Sequence, residues 1–244
     1  MRRYGRCVAA VLFFCVMTAG GAAAQQTTIS VNTLRVPEKS RDDLRKACAK
    51  IAKRDVAGAL KDLNSSLERA PEFADALTVR GLVRLQMGEM DDAKADLERA
   101  LEIDPEQADA SLNLGTVYNH LGRYDDAMRM LARAETHRAN SWQCAYQMAQ
   151  ALLGKQDYAA ALEAVNRAAS LGGEKQLTAP LHFVRATALA GLKQYPEATE
   201  EAEAFLTQQP NGPLAELAKS LLQRIASVQR PGQEGSVAAA LTIH

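Results

Sequence analysis

The sequence predicts an all-α chain, an array of five helix pairs closed by one further helix, and three observations carry that expectation. The 244 residues include 45 Ala and 29 Leu against 18 Val plus Ile, a surplus of strong helix formers over β-branched residues. The sequence repeats with a 34-residue period from Ser40 onward, as arrays of one supersecondary unit do. Each period also holds two apolar stretches separated by a turn signal. Twelve aromatic residues and 24% charge exclude a bilayer-spanning protein, a collagen-like chain and a disulfide scaffold.

Taken from the N-terminus, residues 1–24 read as a cleaved signal peptide. Arg2, Arg3 and Arg6 precede an apolar run from Cys7 to Met17, and Ala22-Ala23-Ala24 forms a small-residue cleavage site before Gln25. This is the pattern of an export signal, and the run falls short of the ~20 apolar residues of a membrane span. The expected location is therefore exported, periplasmic or secreted. Residues 25–39 follow as an extended leader carrying Ile29, Val31, Leu34 and Val36.

Five units come next, at 40–73, 74–107, 108–141, 142–175 and 179–212, with Gln176-Leu177-Thr178 as an insertion. The eighth residue of each is Ala47, Gly81, Gly115, Ala149 and Ala186, and the twentieth is Ala59, Ala93, Ala127, Ala161 and Ala198. Small residues at two fixed places mark where paired helices approach most closely. Gly88 and Gly122 suit the end of a first helix, and Pro71, Pro105 and Pro210 stop second helices. Asp91-Asp92 and Asp125-Asp126 fall at the start of second helices, where negative charge suits the helix dipole. In unit one, Ser40 with Asp43 fits a capping-box start. A capping helix is expected over 213–227, with Leu214, Leu217, Ala218, Leu221, Leu222 and Ile225 on one face. Residues 228–244 have a linker composition and read as a disordered tail.

These residues resemble the tetratricopeptide repeat (TPR) family. The likeness rests on Leu114-Gly115 with Tyr118, Gly122, Tyr124 and Ala127, and on Gly81, Gly88, Ala93, Ala100-Leu101 and Pro105. The fourth position departs from the family's usual Trp, holding Asp43, Leu77, Ser111, Ala145 and His182. The resemblance implies a right-handed superhelical solenoid and a protein or peptide partner held on the concave face by first-helix residues. Carried over position by position, the candidate groove residues are Leu82, Leu85, Leu112, Thr116, Asn119, His120, Tyr146, Gln150 and Phe183. The lining lacks the paired Lys and Arg with which some family members clamp a peptide carboxylate.

Cleavage before Gln25 removes three arginines and no acid, leaving a formal charge of −3. That balance gives no electrostatic footprint for nucleic acid, and no integral membrane segment is expected after cleavage. Cys48 and Cys144 lie three units apart, about 30 Å at the ~10 Å spacing of packed helices, against a ~7 Å reach for a disulfide. No intramolecular bridge is expected. His120, His137, His182 and His244 fall in no metal-binding spacing, and no phosphate loop or nucleophile elbow is present. Catalytic residues, metal and cofactor are accordingly expected to be none. The expected function is a non-enzymatic scaffold in the cell envelope or secreted space. The alternative is a structural subunit attached through convex face, leader or tail.

Overall fold

The computed structural model describes residues 36–229, with side chains placed throughout except at 173–178. The signal peptide, most of the leader and nearly all of the expected tail lie outside the described residues. Eleven helices and no strand occur among the described residues. They divide into two compact units, one ending at Ala139 and one beginning at Asn140.

The N-terminal unit holds three pairs: α1 (Glu38–Ala52) with α2 (Val56–Arg69), α3 (Ala74–Met87) with α4 (Met90–Ile103), and α5 (Ala108–His120) with α6 (Tyr124–His137). Helix α3 also packs beside α2 and α5. The C-terminal unit holds α7 (Trp142–Gly154) with α8 (Tyr158–Ala168), α9 (Glu174–Gly191) with α10 (Tyr195–Gln208), and the final helix α11 (Ala215–Gln229). The all-α helix-pair fold expected from the period is therefore the observed one.

The close approach within a pair is more specific than two small residues meeting. A Cβ added to Gly81 would lie 2.7 Å from Leu97 Cγ and 3.2 Å from the Ala93 carbonyl oxygen. One added to Gly115 would lie 2.8 Å from Leu131 Cγ. The eighth residue thus faces the leucine at position twenty-four and the backbone at position twenty. Leu63, Leu97 and Leu131 are fully enclosed. Gly115→Val is expected to destabilise the N-terminal unit by about 1–3 kcal/mol through overpacking, read as a lower urea midpoint at unchanged slope.

The turn inside each pair puts its fifteenth residue in the left-handed region. Gly88 and Gly122 have φ of 81° and 70°, and Arg54, Gln156 and Lys193 have 61°, 62° and 62°. Glycine meets that demand at no steric cost, whereas the other three carry a Cβ there. Asp55 and Asp157 cap the following helices by accepting from Gly58 N–H (2.9 Å) and Ala160 N–H (3.2 Å). Asp91-Asp92 and Asp125-Asp126 occupy first turns of α4 and α6, as the dipole argument requires.

Three expectations need correction. Helix α1 begins at Glu38, with Pro37 at its N-cap and no side-chain cap, so Ser40 and Asp43 form no capping box. Ser40 is buried, its carbonyl accepts from Ser66 Oγ at 2.8 Å, and Asp43 pairs with Lys46 (3.0 Å) and Arg69. Pro37, whose ring fixes φ at −56° in an extended N-cap conformation, sets the start instead. Residues 176–178 lie inside the first helix of pair five, because the break falls four residues before Gln176, at Gly172 with φ 98°. Finally, α11 runs from Ala215 to Gln229, overlapping the first residues assigned to the tail.

Candidate functional site

The carried-over groove residues divide between the two units. Leu82 and Leu85 stand on α3, and Leu112, Thr116, Asn119 and His120 on the neighbouring α5. Tyr146 and Gln150 stand on α7 and Phe183 on α9. The structure places the first six on adjacent helices of one unit and the last three in the other.

Burial separates these residues further. Leu85, Leu112 and Tyr146 are 4%, 8% and 6% exposed and offer a partner almost no surface. Leu82, Thr116, Asn119, His120, Gln150 and Phe183 are all partly exposed. Thr116 Oγ1 donates to the Leu112 carbonyl at 3.1 Å, a bond inside its own helix. Gln150 Nε2 donates to Tyr146 Oη at 3.0 Å, and burial pushes the Tyr146 phenol far up, so it stays protonated as a packed, neutral ring. Phe183 stacks at a tilt on the fully buried Phe205, with centroids 5.4 Å apart. Its first duty is to the core of the C-terminal unit.

The accessible remainder in the N-terminal unit is Leu82 on α3 and Thr116, Asn119 and His120 on α5. Leu82 and Thr116 occupy equivalent places in successive repeats, on helices that pack side by side. Burial pushes the His120 imidazole below its usual value, so at pH 7 it is neutral, with one donor and one acceptor. An apolar side chain beside an amide, a hydroxyl and a neutral imidazole suits hydrogen bonding to a peptide backbone with one apolar contact.

Sequence reasoning missed a bridge at the start of these helices. Gln107, the residue before α5, donates from Nε2 to Asp75 Oδ1 at 2.6 Å and accepts from Thr78 Oγ1. It ties the first turn of α3 to the entry of α5. Burial pushes the Asp75 carboxyl up, the Gln107 hydrogen bond opposes this, and the charges of Asp104 and Asp109 add to the rise. Nothing in the period marks Gln107, because its role comes from the adjoining repeat.

Among the described residues the two cysteines form no disulfide, with Cys48 exposed and Cys144 buried. Although Cys48 as a residue stays exposed, desolvation around its sulfur pushes the thiol up, with Asp75 adding to it, so it is a poor nucleophile at neutral pH. Among the described residues no group of three His, Cys, Asp or Glu stands close enough to hold a metal ion. No described helix is long and apolar enough to cross a membrane.

Antiparallel helix pairs repeated at one period, with first helices presenting a polar and apolar surface, define a helical-repeat protein built for interaction. The chain belongs to the tetratricopeptide repeat family: that family's sequence models match residues 84–151, 44–93 and 146–213, together most of the chain. Proteins of this repeat serve generally as non-enzymatic scaffolds for protein or peptide partners.

Solved structures show the same fold. MamA from Desulfovibrio magneticus RS-1 is 17% identical, covers 76% of this chain and 98% of its own, and has a TM-score of 0.56. PilF of Pseudomonas aeruginosa is 20% identical over 78% of this chain and 84% of its own, with a TM-score of 0.64. YrrB, described as a TPR protein with an unusual peptide-binding site, is 22% identical over 78% of this chain and 98% of its own, at 0.54. No curated protein sequence matches the chain.

Proposed function

We propose that the protein is an exported, non-enzymatic scaffold of the cell envelope or secreted space that holds a peptide or protein segment on its first-helix surface. The observation that carries this reading is the accessible set Leu82, Thr116, Asn119 and His120, brought together on α3 and α5 of the N-terminal unit. The peptide-binding site described for YrrB, a protein of the same fold, supports a peptide as the ligand class. The apolar run and small-residue site before Gln25 support export.

A photo-crosslinking amino acid placed at Leu82 or Thr116 tests the surface directly. The same discrete adduct is expected from both positions in native cells, and none from Arg129, whose side chain is 73% exposed on α6. His120→Ala is expected to lower adduct yield several-fold without changing the melting temperature. Adducts of equal yield from Arg129 would overturn the assignment and favour attachment through the second helices. Fractionation of tagged chain into the cytoplasm, with residues 1–24 retained, would overturn export.

A further inference from the structure

The connection between α10 and α11 holds the one Asn-Gly pair in the sequence, Asn211-Gly212, bracketed by Pro210 and Pro213. An asparagine followed by glycine is chemically reactive. The glycine nitrogen can attack the asparagine side-chain carbon, and glycine has no Cβ to shield that approach or restrict the backbone. The reaction then depends on how firmly the fold holds the glycine N–H and how freely water reaches the asparagine.

Neither is restrained here. Asn211 is exposed and Gly212 partly exposed, in a turn outside any helix. Pro210 cannot continue α10, so the Gly212 N–H takes no place in a helical ladder. It reaches only the Gln209 carbonyl, at 3.4 Å, longer than a well-made hydrogen bond. The other described asparagines are held differently. Asn64, Asn113, Asn119 and Asn166 lie within helices, where the next residue's N–H is bonded to a carbonyl one turn back. Asn140 lies outside a helix, but Ser141, which follows it, carries a Cβ and is only 5% exposed.

The same turn sets the position of α11. The Gly212 carbonyl accepts from the Ala215 N–H at 2.9 Å at the entry to that helix. Leu214 packs beside the enclosed Phe205, and Ala218 belongs to the same cluster. Further along, Leu221 and Ile225 pack with Ala186, Ala198 and Ala202. A change in the backbone at 211–212 therefore acts directly on the seating of the closing helix.

We propose that Asn211-Gly212 is a self-modification site that converts to aspartate and isoaspartate, and that the isoaspartate form loosens α11. The Gly212 nitrogen gives up its proton to solvent base and forms a bond to Asn211 Cγ. The Cγ–Nδ2 bond then breaks, and ammonia leaves with a proton returned from solvent. Water opens the resulting cyclic imide. Opening at Cγ gives aspartate, and opening at the Asn211 main-chain carbonyl gives isoaspartate, whose backbone runs through Cβ. The net change consumes one water and releases one ammonia, with no change in oxidation state. Isoaspartate lengthens the main chain ahead of Gly212, so the bond to Ala215 and the seating of Leu214 are lost. Aspartate keeps the backbone path, and its charge precedes the start of α11, an end that favours negative charge.

Incubation of the purified chain at neutral and mildly alkaline pH, followed by peptide mapping with mass spectrometry, tests the site. Asn211 is expected to deamidate many-fold faster than Asn140, faster still at the higher pH, with isoaspartate resolved by chromatography as the main product. Gly212→Ala, whose added methyl meets the movable Gln209 Oε1 at 3.0 Å, is expected to slow the reaction to the Asn140 rate. Hydrogen exchange in the aged chain is expected to quicken across α11 and stay unchanged across α6, while an Asn211→Asp chain exchanges as the fresh one does. Equal deamidation rates at Asn211 and Asn140 would overturn the site. Unchanged exchange across α11 in a converted chain, or an equal quickening in Asn211→Asp, would overturn loosening by a lengthened backbone.

Discussion

Phe205→Ala is expected to cost the C-terminal unit about 3–5 kcal/mol, the range for emptying a buried aromatic site. Phe205 is fully enclosed and is the largest fully buried side chain among the described residues. It sits among Ala179 and Ala218, with Phe183, Leu206 and Leu214 packed around it. Its buried neighbours on α9 and α11, Ala179 and Ala218, have no side chain to swing into the vacated space, and Phe183 borders it from one side only. The cavity therefore stays open, which places the cost toward the upper end. Urea unfolding followed by circular dichroism should show the loss. Phe205→Leu, which keeps most of the volume, is expected to cost less than half as much. Equal costs for the two variants would show that the ring's tilted contact with Phe183, rather than filled volume, holds α9, α10 and α11 together.

The second large effect concerns charge. Asp96 on α4 is 4% exposed and accepts from Arg80 at 2.8 and 2.6 Å and from Arg84 at 2.7 Å, while Arg80 also donates to Asn64 on α2 at 3.0 Å. One carboxylate thus joins α3 to α4, and its arginine reaches the preceding pair. Asp96→Ala is expected to destabilise the N-terminal unit by about 2–3 kcal/mol, because two guanidinium groups lose their counter-charge. The cost stays below the extreme for a buried pair, since the two arginine side chains keep 19% and 23% exposure and water recovers part of it. The loss should persist in 0.5 M salt, because a shielded pair is screened far less than a surface one. A cost below 0.5 kcal/mol, or one abolished by salt, would mean that solvent already serves both arginines.

The two predictions fall on residues that sequence reasoning treats very differently. Phe205 belongs to a helix whose apolar side is visible in the pattern, so its burial is an ordinary consequence of amphipathicity. Asp96 occupies no diagnostic place in the 34-residue unit, and by sequence it is one more acid on a second helix. Its partners are sixteen and twelve residues away and become neighbours only when α3 and α4 pair. Gln107 is the same case between repeats, its partner Asp75 lying 32 residues back.

The candidate surface shows a similar split. Its nine residues were carried over by position, and position determines which helix a residue stands on and roughly which way it points. It does not determine how deep the side chain sinks. Leu85, Leu112 and Tyr146 share register with accessible neighbours yet are buried. How closely adjoining first helices pack is set by the side chains of both repeats together. Phe183 is drawn into the core by Phe205, a contact across α9 and α10 that no single-helix pattern encodes.

By itself the sequence determined the helical class, the period, the number of pairs, the turn positions and the small residues of close approach. All of these are local or repeat at a fixed spacing, and helix propensity, turn chemistry and steric size act within a few residues. Only the tertiary structure decided where α1 and α9 begin, which acids are locked by arginine, how Gln107 bridges two repeats and which groove residues remain open to a partner. Those outcomes depend on packing between segments distant in the chain, where the energy belongs to the pair rather than to either residue.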